Sequence, residues 1–85
     1  MPRKDARNVR PSLSDDPRDK LQAAIDHGRS DFDPNYVAAC ARWFASLTPP
    51  ERAAVSAARA ALDRRDAPLA EEFARTLPPA PRCPL

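Results

Sequence analysis

The chain has 85 residues, of which 42% are apolar and 31% are charged, and it carries a formal net charge of +2. This length allows one small domain, and so low a net charge argues against a surface dedicated to nucleic acid. The single glycine excludes a glycine-rich loop that could cradle phosphate.

The first residues are typical of an arm rather than of a core. Residues 1–14 contain few large aliphatic side chains, so we predict a disordered basic arm. Its cations are Arg3, Lys4, Arg7 and Arg10. The arm lacks the apolar stretch of a secretory signal, and the longest apolar run, 36–47, is too short to span a bilayer. We therefore expect a cytoplasmic protein without a membrane segment.

A side-chain acceptor followed by proline recurs along the chain and predicts four helix starts. The signals are Asp16-Pro17, Asp33-Pro34, Thr48-Pro49-Pro50-Glu51 and Asp66-Ala67-Pro68. The acceptor can bind free amides of the first turn, where proline costs no intrahelical donor. Because β-branched residues are few, we predict an all-α, compact bundle of four short helices and no sheet. The expected ranges are about 17–27, 34–47, 49–65 and 67–77.

These helices form a single predicted domain, 15–78, followed by a disordered proline-rich tail at 79–85. Gly28 is expected to end the first helix in a left-handed conformation. The second helix is apolar almost all round, which predicts the central position in the bundle. Pro78 and the proline after it are expected to end the fourth helix.

Residues 47–55, Leu-Thr-Pro-Pro-Glu-Arg-Ala-Ala-Val, resemble the segment that opens the DNA-binding domain of LuxR-type regulators. That family continues with a glycine turn and a capped recognition helix, whereas here Asp66-Ala67-Pro68 leads into an acidic helix. We interpret the segment as a capping box, in which Thr48 and Glu51 each accept from the other's backbone amide. No functional residue is carried over from the family.

The two cysteines occupy different settings. Cys40 lies in the apolar run and Cys83 lies in the tail. Because no signal peptide indicates an oxidising compartment, we predict two free thiols. A lone His27 and two distant cysteines match no zinc-ligand spacing, so neither a metal nor another cofactor is expected.

The sequence predicts a protein that is not an enzyme. General acid–base catalysis needs titratable groups in a cleft, and short alanine-rich helices leave little room for one. We expect His27 to interact with the dipole at a helix end, and Cys40 to be an inert core thiol.

Docking on a larger protein or protein complex is the function that the sequence favours. A domain this small gains stability from a partner, and aromatic residues with polar tips are enriched at interfaces. We expect an accessory or inhibitor-like protein of bacterial, phage or plasmid origin, since abundant Ala, Arg and Pro are typical of GC-rich genes. The candidate contact residues are Tyr36, Trp43, Arg52 and Arg59. The edge formed by Tyr36 and Trp43 is a docking patch only if the second helix is not wholly covered, and a purely structural role for Trp43 in the core is the interpretation that we favour.

Nucleic-acid binding is the second possible function. Basic residues of the arm and of the third helix could follow a phosphate backbone. Besides the helix-three arginines already named, these candidates are Arg3, Lys4, Arg7, Arg10, Arg64 and Arg65. The acidic segment 15–33 would repel the same ligand, so protein is the favoured partner.

Overall fold

Four helices make up most of residues 12–84, the part of the chain that our computed structural model describes. They are α1 (Pro17–Asp26), α2 (Pro34–Ala45), α3 (Pro49–Asp63) and α4 (Ala67–Ala74). The predicted all-α bundle of four short helices is confirmed. Each helix begins where its cap predicts, and each ends one to three residues earlier than predicted.

The helix starts are held by the predicted caps. Asp16 and Asp33 each accept from the amide two residues further on, at 2.9 and 3.0 Å. Asp66 accepts from the amide three residues further on, at 3.2 Å. At α3 the capping box is complete, because Glu51 accepts from the amide of Thr48 at 2.8 Å and the Thr48 hydroxyl accepts from the amide of Glu51 at 3.4 Å. Proline lies in the first turn of every helix.

Two helix ends, those of α1 and α3, differ from the prediction in their backbone conformation. Among residues 12–84 positive φ occurs at Arg65, at 62°, and not at Gly28 as predicted. Arg65 closes α3 through two hydrogen bonds, from its own amide to the carbonyl of Leu62 and from the amide of Asp66 to the carbonyl of Ala61, both at 2.9 Å. This is a Schellman motif, in which an arginine holds the position that glycine most often fills.

A pair of two-residue strands joins the two ends of the described chain. β1 (Leu13–Ser14) pairs antiparallel with β2 (Ala80–Pro81), and the amide of Arg82 donates to the carbonyl of Ser12 at 2.7 Å. The sequence predicted no sheet, because no local pattern indicates so distant a pairing. β2 packs against α1 and α2, and Ala80 is fully buried. The start of the predicted tail therefore belongs to the packed structure.

The cations of the predicted arm lie outside the described residues. Arg3, Lys4, Arg7 and Arg10 all fall within 1–11. The disorder expected there stays a prediction.

The core is a cluster of small and medium-sized apolar side chains. Ala58 and Ala61 of α3 and Ala70 and Ala74 of α4 are fully buried, and these two helices share the most extensive contact in the bundle. Alanine allows this because its side chain lets two helix backbones lie close together. The buried members of the core are Leu21, Ala23, Ala24, Tyr36, Cys40, Trp43, Leu47, Val55, Ala58, Ala61, Ala70, Ala74, Leu77 and Ala80.

The central helix is α1 rather than α2, so this prediction is wrong. α1 packs against the other three helices and against β2, whereas α2 packs mainly against α1 and β2. Small buried residues on α1, Ala23 and Ala24, leave room for close neighbours. The apolar surface of α2 is instead covered by the segment that contains β2.

Separate substitutions of Arg65 and of Gly28 test the backbone conformation found at the ends of α3 and α1. We expect Arg65→Gly to raise the free energy of unfolding by about 1 kcal/mol, since a left-handed conformation strains a residue with a Cβ atom. Gly28→Ala should leave stability unchanged or raise it by up to about 1 kcal/mol, because an added Cβ meets no atom within 4 Å and φ is not positive. Urea unfolding followed by circular dichroism measures both effects. A clear loss of stability in Gly28→Ala would contradict the assignment.

Candidate partner-binding surface

The two aromatic residues predicted to contact a partner lie in the core. Tyr36 is 1% exposed and Trp43 is 8% exposed. The indole Nε1 of Trp43 donates to the carbonyl of Pro78 at 3.3 Å, so the segment after α4 covers this part of α2. The edge formed by Tyr36 and Trp43 is therefore covered in the folded chain, so it does not form the docking patch that an uncovered second helix would offer.

Tyr36 is bound to a buried carboxylate that the sequence analysis did not single out. Asp26, fully buried at the end of α1, accepts from the hydroxyl of Tyr36 at 3.0 Å, from Nε2 of Gln22 at 2.9 Å and from Nη1 of Arg29 at 3.3 Å. These donors offset the cost of burying the carboxylate and connect α1 to α2. The one sequence signal for this network is the four-residue spacing of Gln22 and Asp26 on one helix face.

Burial favours the protonated forms of the Tyr36 hydroxyl and of the nearby Cys40 thiol. It raises the pKa of the Tyr36 hydroxyl, and hydrogen bonds with Cys40 and Asp26 raise this pKa further. Burial also raises the pKa of the Cys40 thiol, although the hydrogen bond with Tyr36 acts in the opposite direction. Both cysteines are free thiols, as predicted. A fully buried, protonated Cys40 is not activated as a nucleophile.

The remaining two predicted contact residues, Arg52 and Arg59, lie on the exposed side of α3. They are about two turns apart, with Ser56 between them, and all three side chains are exposed. We call Arg52, Ser56 and Arg59 the α3 arginine face. Neither arginine forms an ion pair with another residue of the described range.

Arg52 is oriented by contacts with α2. Its Nη2 donates to the carbonyl of Ala45 at 3.1 Å, and its guanidinium carbon lies 5.5 Å from the centre of the Phe44 ring. Phe44 in turn stacks on His27, with 4.1 Å between the ring centres and 7° between the ring planes. His27 caps the end of α1, where the sequence predicted it. The row His27, Phe44, Arg52 thus connects α1, α2 and α3.

Ion pairing is uneven across the helices. The cations of α1, of the turn after it and of the C-terminal segment form ion pairs, which are Arg18–Glu71, Lys20–Asp15, Arg29–Asp26, Arg29–Asp31 and Arg82–Asp19. The arginines of α2, α3, α4 and the turns that follow them form none within residues 12–84. They are Arg42, Arg52, Arg59, Arg64, Arg65 and Arg75. These six arginines share α2 to α4 and the adjoining turns with five acidic residues, Glu51, Asp63, Asp66, Glu71 and Glu72, so the stretch is nearly neutral overall.

The remaining candidates from the sequence fall into two groups. Arg64 and Arg65, from the nucleic-acid alternative, are exposed where α3 ends, whereas the four arm cations lie outside the described residues. In the range 12–84, no three His, Cys, Asp or Glu side chains are arranged to hold a metal ion. No helix in the same range has the length and apolar character needed to cross a bilayer.

Comparisons with protein-family models, curated proteins and solved structures found no match to this chain. The function of this chain is therefore inferred from its own residues and contacts.

The Asp26 network should make a measurable contribution to stability. We expect Tyr36→Phe to lower the free energy of unfolding by about 1 to 2 kcal/mol and Asp26→Asn by about 2 kcal/mol, because each leaves a buried polar group with a weaker or missing partner. Asp63→Asn is the matched control, since Asp63 is exposed at the end of α3. Urea unfolding compares the three variants. Equal stability of Asp26→Asn and the control would show that the network contributes nothing.

Stability should also fall at alkaline pH because the pKa of Tyr36 is raised in the folded state. The contribution of the neutral hydroxyl is complete below the unfolded pKa of about 10 and is lost as the pH rises from there toward the folded pKa. Tyr36 is the single tyrosine, so phenolate absorbance should appear together with loss of helical circular dichroism. Phenolate formation with helicity retained would contradict this, and Tyr36→Phe should weaken the pH dependence.

Proposed function

We propose that this protein is a non-enzymatic interaction module, of an accessory or inhibitor-like kind, that docks on a larger protein. The observation that carries the proposal is the α3 arginine face. Arg52 and Arg59 are exposed on one side of a helix and have no ion-pair partner among the described residues. Guanidinium groups in this state favour an acidic protein surface, since each can bind a carboxylate through two parallel hydrogen bonds.

The contacts of Arg52 favour specific binding over diffuse charge attraction. A guanidinium already oriented by the Ala45 carbonyl and the Phe44 ring loses less conformational entropy when it meets a carboxylate. Arg59 has no such contact and retains its side-chain freedom. Ser56 and the exposed Ala60, which lie between and beside the arginines, have small side chains. A partner helix or loop can therefore approach α3 closely.

The low stability expected of so small a core also supports a docking role. Half of the buried apolar residues are alanines, each of which removes little apolar surface from water. A partner that binds the folded form adds stability through mass action.

Nucleic-acid binding is the second candidate, and one observation favours it. Six arginines of α2 to α4 and the adjoining turns are without an ion pair in the described part of the chain, and Arg64 and Arg65 are exposed at the end of α3. The acidic residues at the start of α1, Asp15 and Asp16, oppose it because they repel phosphate.

Charge reversal on the α3 arginine face tests docking on protein. The folded protein is used to capture partners from a lysate of a bacterium with a GC-rich genome, and mass spectrometry identifies the captured proteins. We expect the wild type to retain an acidic protein that the double variant Arg52→Glu/Arg59→Glu no longer retains. Arg75→Glu is the control, because Arg75 is equally exposed and unpaired but lies at the end of α4. It should retain the partner, and circular dichroism should show both variants folded. Full capture by the folded double variant would refute the proposal.

Titration with duplex DNA separates the second candidate from the first. If arginines contact phosphates, the logarithm of the binding constant falls with the logarithm of salt by about 0.9 per contact. We expect no retention of random-sequence duplex at low salt. Steep, salt-dependent binding that weakens on deletion of residues 1–11 would instead favour nucleic acid.

A further inference from the structure

The segment that follows α4 is attached to α2 near Cys40. In this segment the carbonyl of Pro78 accepts a hydrogen bond from Trp43 at 3.3 Å, and β2 packs against α2. Trp43 and Cys40 are three residues apart, so their side chains lie on the same face of this helix. The face of α2 that carries Cys40 is therefore the one that the C-terminal segment covers.

Cys83 comes two residues after β2 and belongs to the same packed region. It is partly buried and packs against the apolar cluster that contains Cys40. Ala80 is fully buried and Pro81 is buried, so the backbone leading to Cys83 is held against the core. Burial is the main cause of the raised pKa of the Cys40 thiol, and electrostatic interactions with Asp26 and Cys83 raise this pKa further.

We propose that Cys40 and Cys83 are a redox-active pair, which closes to an intramolecular disulfide when the protein meets a small disulfide such as oxidised glutathione. Both sulfurs are free thiols in this structure. The proposal is independent of the α3 arginine face.

The difference in burial sets the order of the two exchange steps. The thiolate of the more accessible Cys83 attacks one sulfur of oxidised glutathione, forming a mixed disulfide and releasing one glutathione thiolate. The thiolate of Cys40 then attacks Sγ of Cys83 and releases the second glutathione thiolate. The protein loses two thiol protons and two electrons, and oxidised glutathione is reduced to two thiols. No glutathione has to enter the core, because the second step occurs within the chain.

Burial raises the pKa of the Cys40 thiol, which lowers the fraction of thiolate available for the second step. A thiol must be deprotonated to attack, so closure should accelerate as the pH rises. The closed bond would link α2 to Cys83, two residues after β2, and enclose α3 and α4 in one covalent loop. It would thereby also hold the β1–β2 pairing, on which the start of the described chain depends.

Oxidation of the full-length chain by glutathione tests the pair. The protein is incubated with oxidised glutathione, quenched with acid, and analysed by mass spectrometry without reductant. We expect a monomer lighter by two hydrogens, with no glutathione attached and with a peptide linking Cys40 to Cys83. Its melting temperature should exceed that of the reduced protein by more than about 5 °C, and dithiothreitol should reverse both changes.

Single variants separate internal closure from simple surface modification. Cys40→Ala retains Cys83 and should stop at the mixed disulfide, whereas Cys83→Ser retains the buried Cys40 and should remain unmodified. If Cys40→Ala does not fold, the wild-type and Cys83→Ser results decide the question. A wild-type protein that accumulates stable glutathione at Cys83, forms only intermolecular disulfides, or stays reduced would overturn the proposal.

Discussion

The fold depends on close approach of helices whose contacts are mainly alanine. Such contacts bury little area per residue, so they stabilise the bundle only if the helices begin and cross at the correct places. The proline-containing caps fix the starts of all four helices. The buried Asp26 then holds the end of α1 against α2, and β2 covers the apolar side of α2 that would otherwise be exposed. Polar capping and a few polar bonds thus compensate for a thin apolar core.

How much of this fold could be predicted depends on the distance over which each signal acts. Helix starts are determined by residues within one turn, and all four predictions are confirmed. Helix ends depend on contacts beyond the helix, so α1 ends without the positive φ predicted at Gly28, and α3 ends at a left-handed Arg65 that no local signal indicated. The β1–β2 pairing and the central position of α1 involve residues far apart in sequence, which no helical periodicity indicates.

The candidate surface was predictable in part for the same reason. Helical periodicity alone placed Arg52 and Arg59 on the outer side of α3, and the structure leaves both exposed. Periodicity could not decide whether Tyr36 and Trp43 are buried or exposed. The element that covers α2 is a proline-rich segment, which the sequence indicated as a tail. The Asp26 network was missed because a buried aspartate has the same sequence appearance as the exposed aspartates around it.

The row formed by His27, Phe44 and Arg52 gives the α3 arginine face a mechanical connection to the far end of α1. The guanidinium of Arg52 and the imidazole of His27 contact the same Phe44 ring, so a change in either contact alters the electrostatic surroundings of the other. The imidazole of His27 is therefore a natural spectroscopic reporter of the position of the Arg52 side chain.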